Sequence, residues 1–445
     1  MEKQSEFKIP PRRIANSLMN SLRGGVVPRD GAEYIAVGRT LELEAILNDI
    51  SIIEDGGATF RFVVGPFGAG KSFLFSIIRS HVTKKGFLVM DADFSPTRKL
   101  IGTKKEGLAT YRELIKNLSS ATKPSGGALA LVLDKWINQI NFEAREKCIP
   151  EEDRVNWALN EIYSKCSNVR ELVHGFEFAK LLEAYYLSYE NDDNEKKDNV
   201  LKWFRGEYQN RRDAKRELGI NIIVSDEDWY EYIKLFSIFA KQAGYKGLLV
   251  LCDEMINLSK ISNKISRQNN YEKLLSMYND TLQGKAKYIG MIMGATPDSL
   301  EDPRRGVFSY EALKSRLSKG AFYNKEMKDL LSPIITIQKL KQSELFVLLE
   351  RLSTLHSNLY SYDKNINNDD INIFLACELN RIGANEKITP REVIRDFIEV
   401  MNLLHQNSSE TVSSILEMSN FSFSTPIIDD GEEVFDDEFS TFTIY

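Results

Sequence analysis

Eight consecutive residues, Gly65-Pro66-Phe67-Gly68-Ala69-Gly70-Lys71-Ser72, carry the most specific chemistry in this chain. In the spacing G-x-x-x-x-G-K-S, glycines let successive backbone N–H groups wrap a phosphate with no β-carbon in the way. The lysine then reaches the outer phosphates of a nucleotide and the hydroxyl binds Mg2+. An apolar run at 60–64 precedes the loop and an amphipathic run at 72–79 follows it, so strand, loop and helix succeed one another. The helix points its positive end at the anion. We expect ATP phosphates along Gly65, Pro66, Phe67, Gly68, Ala69, Gly70, Lys71, Ser72 and Phe73.

A second constellation lies far along the chain. Leu248-Leu249-Val250-Leu251 is a buried-strand run, and Cys252-Asp253-Glu254 ends it with two carboxylates. A strand fixed in a core holds Asp253 where, with Ser72, it orients the Mg2+ shell, and Glu254 beside it polarises an attacking water. A further buried strand is expected over 288–297, with the polar Thr296 at its end and Asp298 just beyond. In the stretch Thr389-Pro390-Arg391-Glu392, threonine caps a helix and proline opens it, which puts Arg391 in the first turn. A cation is disfavoured there, so Arg391 is expected to face an anion, with Arg395 one turn on as the alternative.

The elements around these residues read as α/β. Strands are expected at 60–64, 86–94, 247–254, 288–297 and 332–340, and an N-terminal helix at 11–23 is stopped by Gly24-Gly25. Thr40 is expected to cap a helix over 40–50. Asp91 and Asp93, at the end of the second strand, either approach the nucleotide or cap the following turn. Between about 100 and 245 the pattern turns helical, with segments at 110–118, 128–140, 151–165, 176–189, 196–218 and 226–243, and helices return at 343–356, 369–381, 390–405 and 409–418. Residues 421–445 hold seven acidic and no basic residues, a composition expected to be disordered.

Composition narrows the class. The chain has 445 residues, 42% hydrophobic and 27% charged, enough for two or three domains with a sizeable core. Its net charge of −6 gives no global basic signal for nucleic acid, and its four scattered cysteines have neither metal-ligand spacing nor a disulfide framework. No apolar leader and no spanning run of about 18 residues is present. The expectation is a protein of the cytoplasm with no membrane contact.

Taken in order, these motifs resemble the AAA+ P-loop NTPases, nearest the origin-recognition and clamp-loader branch. The resemblance implies a five-stranded parallel sheet in a nucleotide-binding domain over 1–340, a large helical insertion at about 100–245, a helical lid at 341–420 and an acidic tail at 421–445. In that class a V-G-R segment lines the adenine pocket, which here is Val37, Gly38 and Arg39. Thr296, with Asp298 as second choice, would touch the γ-phosphate or the water. Ser315-Arg316-Leu317 resembles the box whose arginine acts across a subunit interface, with Arg304 and Arg305 behind Arg316 as alternatives. Arg391 matches an arginine at the start of the third lid helix, over the γ-phosphate. Flanking stretches such as Gly25-Val26-Val27-Pro28-Arg29-Asp30 and Pro303-Arg304-Arg305-Gly306-Val307-Phe308 are similar to the BrxD family of BREX-system ATP-binding proteins in bacterial anti-phage defence islands. That likeness implies other defence-system proteins as partners. A winged-helix domain of the origin-recognition kind is not expected, since only about 40 residues follow the third lid helix.

Three functions compete at this stage. The first is a homo-oligomeric ATPase that loads, remodels or surveys double-stranded DNA, touching it through 196–216, where eight basic residues interleave with Trp203, Phe204 and Tyr208. Acidic residues in the same stretch leave an ordinary amphipathic helix as the other reading. The second is a slow nucleotide switch that binds a protein partner. The third, a metabolic kinase, is disfavoured by the large helical insertion.

Overall fold

The computed structural model describes residues 8–166, 172–318, 329–364, 366–380, 389–407 and 409–417. Five strands form one all-parallel sheet: β1 Ala58–Val64, β2 Leu88–Asp93, β3 Leu248–Asp253, β4 Ile289–Ala295 and β5 Ile334–Thr336, in the spatial order β2-β3-β4-β1-β5. A parallel sheet is covered on both faces, so its central strands are apolar throughout rather than alternating. Every residue of β3 and β4 is buried. Together with the loop that follows β1, this is a P-loop NTPase-like α/β fold.

The crossovers decide where the chemistry gathers. From β1 the chain passes through the helix Lys71–Lys84 to β2 at the far edge, skipping the places that β3 and β4 later fill. Such a jump opens a crevice outside the carboxyl ends of the strands. Register then aligns those ends: Val64 lies opposite Ala295, and Asp93 opposite Asp253. Gly65, Glu254 and Thr296 each follow the last residue of a strand, so all three leave the sheet on the same side.

Helices from the connection between β2 and β3 share one continuous core with the sheet, centred on the fully buried Trp136, Trp203 and Trp229. A second core is separate from it. There the N-terminal helix Arg12–Arg23 buries Ala15, Leu18, Met19 and Leu22 against the helices Gln342–Tyr360 and Pro390–Gln406, and the helix Asn368–Leu379 packs on the first of these. The two ends of the described chain are thus packed together. Among the described residues no helix is long and apolar enough to cross a membrane.

Several expectations need correction. The helix expected over 196–218 is two, Asn194–Phe204 and Arg211–Leu218. Gly206 breaks it in the left-handed region (φ 68°), packed against Leu108 and Tyr111, and the Asn210 side chain caps the second helix. Trp203, Phe204 and Tyr208 do not face solvent: they are at most 3% exposed, and the Trp203 indole donates to Ile222 O at 2.8 Å. These rings stabilise the core and cannot stack on bases. Thr40 is the first helical residue rather than the cap, which is Arg39. The strand expected over 332–340 is only three residues long. The helix Lys264–Leu282 was not anticipated, because its buried stripe includes Arg267 and Asn270 as well as apolar residues. The acidic segment 421–445 lies outside the described residues.

Candidate nucleotide-binding site

Gly68 and Gly70 take positive φ angles of 72° and 84°, conformations costly for a residue with a β-carbon. At Gly70, the residue before the helix Lys71–Lys84, backbone conformation alone demands glycine, since nothing lies within 4 Å of a β-carbon position. At Gly68 space matters too, because a β-carbon would come within 2.4 Å of the Thr389 methyl group. The phosphate loop is therefore packed directly beneath the start of the helix Pro390–Gln406.

Lys71 is buried at 9% exposure and its ammonium donates to Gly65 O at 2.9 Å and Pro66 O at 3.2 Å, with the Phe67 ring 5.5 Å away. Burial lowers its pKa, while the Asp253 and Glu254 carboxylates oppose that and favour the charged form. Ser72 donates its hydroxyl to Asp253 Oδ2 at 2.6 Å, and Asp253 Oδ1 accepts from the Glu254 backbone N–H at 2.9 Å. Glu254 itself has φ 61°, an uncommon conformation for a residue with a side chain. Its neighbours fix that bend: Asn257 donates to its carbonyl from the backbone at 3.0 Å and the side chain at 3.3 Å, and Met255 N–H donates to Gly294 O at 3.0 Å. The result turns Glu254 into the same cavity that Lys71 and Ser72 line.

That cavity has a volume of about 340 Å³. Its lining includes polar groups from the loop 67–72, Arg39, Glu254 and Arg391. It also includes the apolar side chains of Leu22, Val26, Val27, Ile35, Val37, Leu340, Leu348 and Ile394. A nucleotide calls for both kinds of surface, polar for its phosphates and apolar for its flat heterocycle. The donors fit the metal as well. A hydroxyl and a carboxylate oxygen in contact are hard ligands of the kind Mg2+ takes, with water and phosphate completing its octahedron. Ser72 and Asp253 would hold it, and it would supply charge neutralisation to the phosphates.

The remaining sequence candidates divide. Phe73 lines the cavity and packs towards the second core. Val37 and Arg39 both line the cavity, and Arg39, at 9% exposure, also donates to Ala69 O at 2.8 Å and Gln338 O at 2.5 Å. Gly38, at φ 65°, is pressed against the Glu344 carboxylate. Arg391 lines the cavity from the first turn of its helix, where Glu392 makes the reciprocal capping pair with Thr389. Arg395 does not line the cavity.

Thr296 is 5% exposed and caps the short helix Pro297–Glu301, its oxygen accepting from Ser299 N–H at 3.2 Å. It lies at the sheet's carboxyl edge without lining the cavity, and Asp298 is exposed. Arg316 is exposed on the helix Glu311–Leu317 and donates to Ala312 O at 2.8 Å, outside its own chain's cavity. Arg304 and Arg305 sit on a turn whose backbone N–H groups bind Asp302 Oδ1. Asp91 is tied to Arg79 at 2.8 Å, with Arg29 at 3.8 Å. Its burial raises its pKa against those two charges, so it acts as an internal ion-pair centre. Asp93 is exposed beside Asp253.

Sequence reasoning missed most of the apolar wall. Leu22, Ile35, Leu348 and Ile394 come from four helices, each reading as an ordinary core-facing position. No curated protein matches the chain. The family model for the BREX system ATP-binding protein BrxC/D matches residues 9–420, which include the phosphate loop, the Asp253-Glu254 strand end and the helix carrying Arg391. With most of its length so matched, the chain belongs to the BrxC/D family of BREX system ATP-binding proteins.

Proposed function

We propose that this protein is a Mg2+-dependent ATPase of the AAA+ class, with the helices after β5 as its lid, whose assembly into a homo-oligomer controls hydrolysis within the defence system. The observation that carries the reading is the contact between Ser72 Oγ and Asp253 Oδ2 at 2.6 Å, with Lys71 and Glu254 on the same cavity. A hydroxyl, a carboxylate, an ammonium and a second carboxylate are the four groups that phosphoryl transfer from a Mg-nucleotide to water calls for. Arg391 would face the outer phosphate from within the chain, and Arg316 would act on a neighbour's nucleotide. The always-charged, planar guanidinium suits both roles.

The test is the mass distribution of the Glu254→Gln variant with Mg-ATP, with and without duplex DNA. Removing the carboxylate that polarises water should leave ATP bound and trap the assembled form. A protein that stays monomeric under every condition refutes the action of Arg316 in trans.

One observation favours a second reading, a nucleotide switch that regulates a protein partner. The aromatic residues that suited base stacking are buried, which leaves exposed arginines such as Arg211 and Arg212 for phosphate contact alone. Duplex DNA that raises the ATPase rate, with an effect that fades as salt rises, supports DNA work; indifference to DNA supports the switch.

A further inference from the structure

Four consecutive residues upstream of the phosphate loop are each gripped by the C-terminal part of the chain. Arg351 Nη1, on the helix Gln342–Tyr360, donates to Ala36 O. Val37 packs against the second core, which that helix builds. Gly38 is in the left-handed region, and a β-carbon there would stand 2.2 Å from Glu344 Oε1 in the first turn of the same helix. Glu344 cannot easily retreat, because its other oxygen accepts from Lys341 N–H at 2.7 Å. Finally, one guanidinium nitrogen of Arg39 holds Gln338 O, in the connection from β5 to that helix, and Ala69 O, in the phosphate loop.

Ala69 is fully buried and stands between Gly68 and Gly70, the two loop residues with positive φ. Its carbonyl cannot shift without re-aiming the N–H groups on either side of it. A planar, rigid guanidinium bridging two carbonyls transmits displacement better than a flexible ammonium would. Rotation of the helix Gln342–Tyr360 relative to the sheet therefore bears on 36–39, and 36–39 bears on the loop.

We propose that residues 36–39 are a coupler between that helix and the phosphate loop, with Arg39 as the strut: a positioning residue for the triphosphate rather than a wall for the base. The proposal rests on the nucleotide reading of the cavity. A wall for the base and a strut for the loop differ in one measurable respect. A wall acts only on a ligand that has a base, whereas a strut acts on the triphosphate whether or not a base is attached.

The experiment titrates the full chain with Mg-ATP and with Mg-tripolyphosphate by calorimetry, comparing wild type, Arg39→Ala and Gly38→Ala. Gly38→Ala strains the same joint from the Glu344 side and keeps the guanidinium, so the question stays answerable if Arg39→Ala does not fold. Hydrogen exchange at 338–345 with and without Mg-ATP is the second readout. The expected result is a loss of affinity on the order of tenfold for both ligands alike, about 1.4 kcal/mol. Exchange at 338–345, slowed by ATP in wild type, should no longer respond in the variants. Variants that weaken ATP while binding tripolyphosphate as wild type does, or that leave both affinities and the exchange response unchanged, overturn the strut. Wild type that binds neither ligand overturns the nucleotide reading itself, and the strut with it.

Discussion

Gly294 leaves the space that Asp253 occupies: a β-carbon on Gly294 would stand 2.1 Å from Asp253 Oδ1. The glycine is in β4, one residue from the strand's end, and its carbonyl also receives the Met255 N–H at 3.0 Å. Gly294→Ala should push the carboxylate off Ser72 and disturb the turn that aims Glu254. A displacement of about 1 Å at such a site costs on the order of 10²-fold in turnover. Overpacking should cost about 1–3 kcal/mol of stability. Steady-state ATPase rates beside a denaturation curve separate the two effects. Turnover at the wild-type level in a folded Gly294→Ala protein refutes the link from this glycine to the Asp253 carboxylate.

Arg316 lies outside the cavity of its own chain, its guanidinium engaged by the carbonyl of Ala312 one helical turn back. If it serves a neighbour, Arg316→Ala should bind Mg-ATP as tightly as wild type while losing turnover by about 10³-fold, the usual worth of an arginine supplied to a transferring phosphoryl group. Wild-type activity per chain should rise with protein concentration, and that of the variant should not. A concentration-independent wild-type rate counts against the assignment.

Part of the fold is legible in the sequence, and the reason is local. The glycine loop after β1 and the apolar strand that ends at Asp253 can be read directly because backbone conformation there is set by adjacent residues. The helix Pro390–Gln406 begins where the threonine, proline and glutamate pattern said it would. What escaped depends on distant packing. Trp203 and Phe204 look like a stacking surface among lysines, yet helices from three parts of the chain bury them. Arg39 reads as part of a pocket motif, but its partners Ala69 and Gln338 are 30 and 299 residues away. Nothing local predicts a bond of the second kind. The helix Lys264–Leu282 hid for a related reason: Asn270 is buried in it because its amide serves the backbone at Leu100 and Ile101.

His356 predicts a pH dependence for the C-terminal helices. It is fully buried, its ring nitrogens engaged by Tyr362 OH at 2.8 Å and Asn402 Oδ1 at 3.2 Å, and burial holds its pKa below the ordinary histidine value, against the bond to Asn402. His81, on the phosphate-loop helix, is shifted down for the same reason. Below about pH 6.5 the unfolded chain takes up protons at these histidines before the folded chain does. Stability is therefore full above that pH and falls as pH drops through it. Melting temperatures between pH 7.5 and 5.5 should decline, and less steeply in His356→Gln. Equal slopes would show that the proton uptake lies elsewhere.

The two faces of the 194–218 region make opposite predictions. Trp203→Ala removes a ring that is 1% exposed and leaves Ile222 O without its indole donor, so it should cost about 3–5 kcal/mol and lower the melting temperature. Arg211 and Arg212 open the helix Arg211–Leu218 and are exposed, so the double variant Arg211→Glu, Arg212→Glu should leave stability within about 0.5 kcal/mol of wild type. If duplex DNA engages this face, it does so through phosphates. The double variant should then reduce the slope of log affinity against log salt by roughly two, one for each lost phosphate contact. The check is a filter-binding series across salt concentrations, run beside thermal melts of the same preparations. A wild-type salt slope in the double variant moves the DNA contact off this helix, and a Trp203→Ala protein as stable as wild type contradicts the burial on which this division rests.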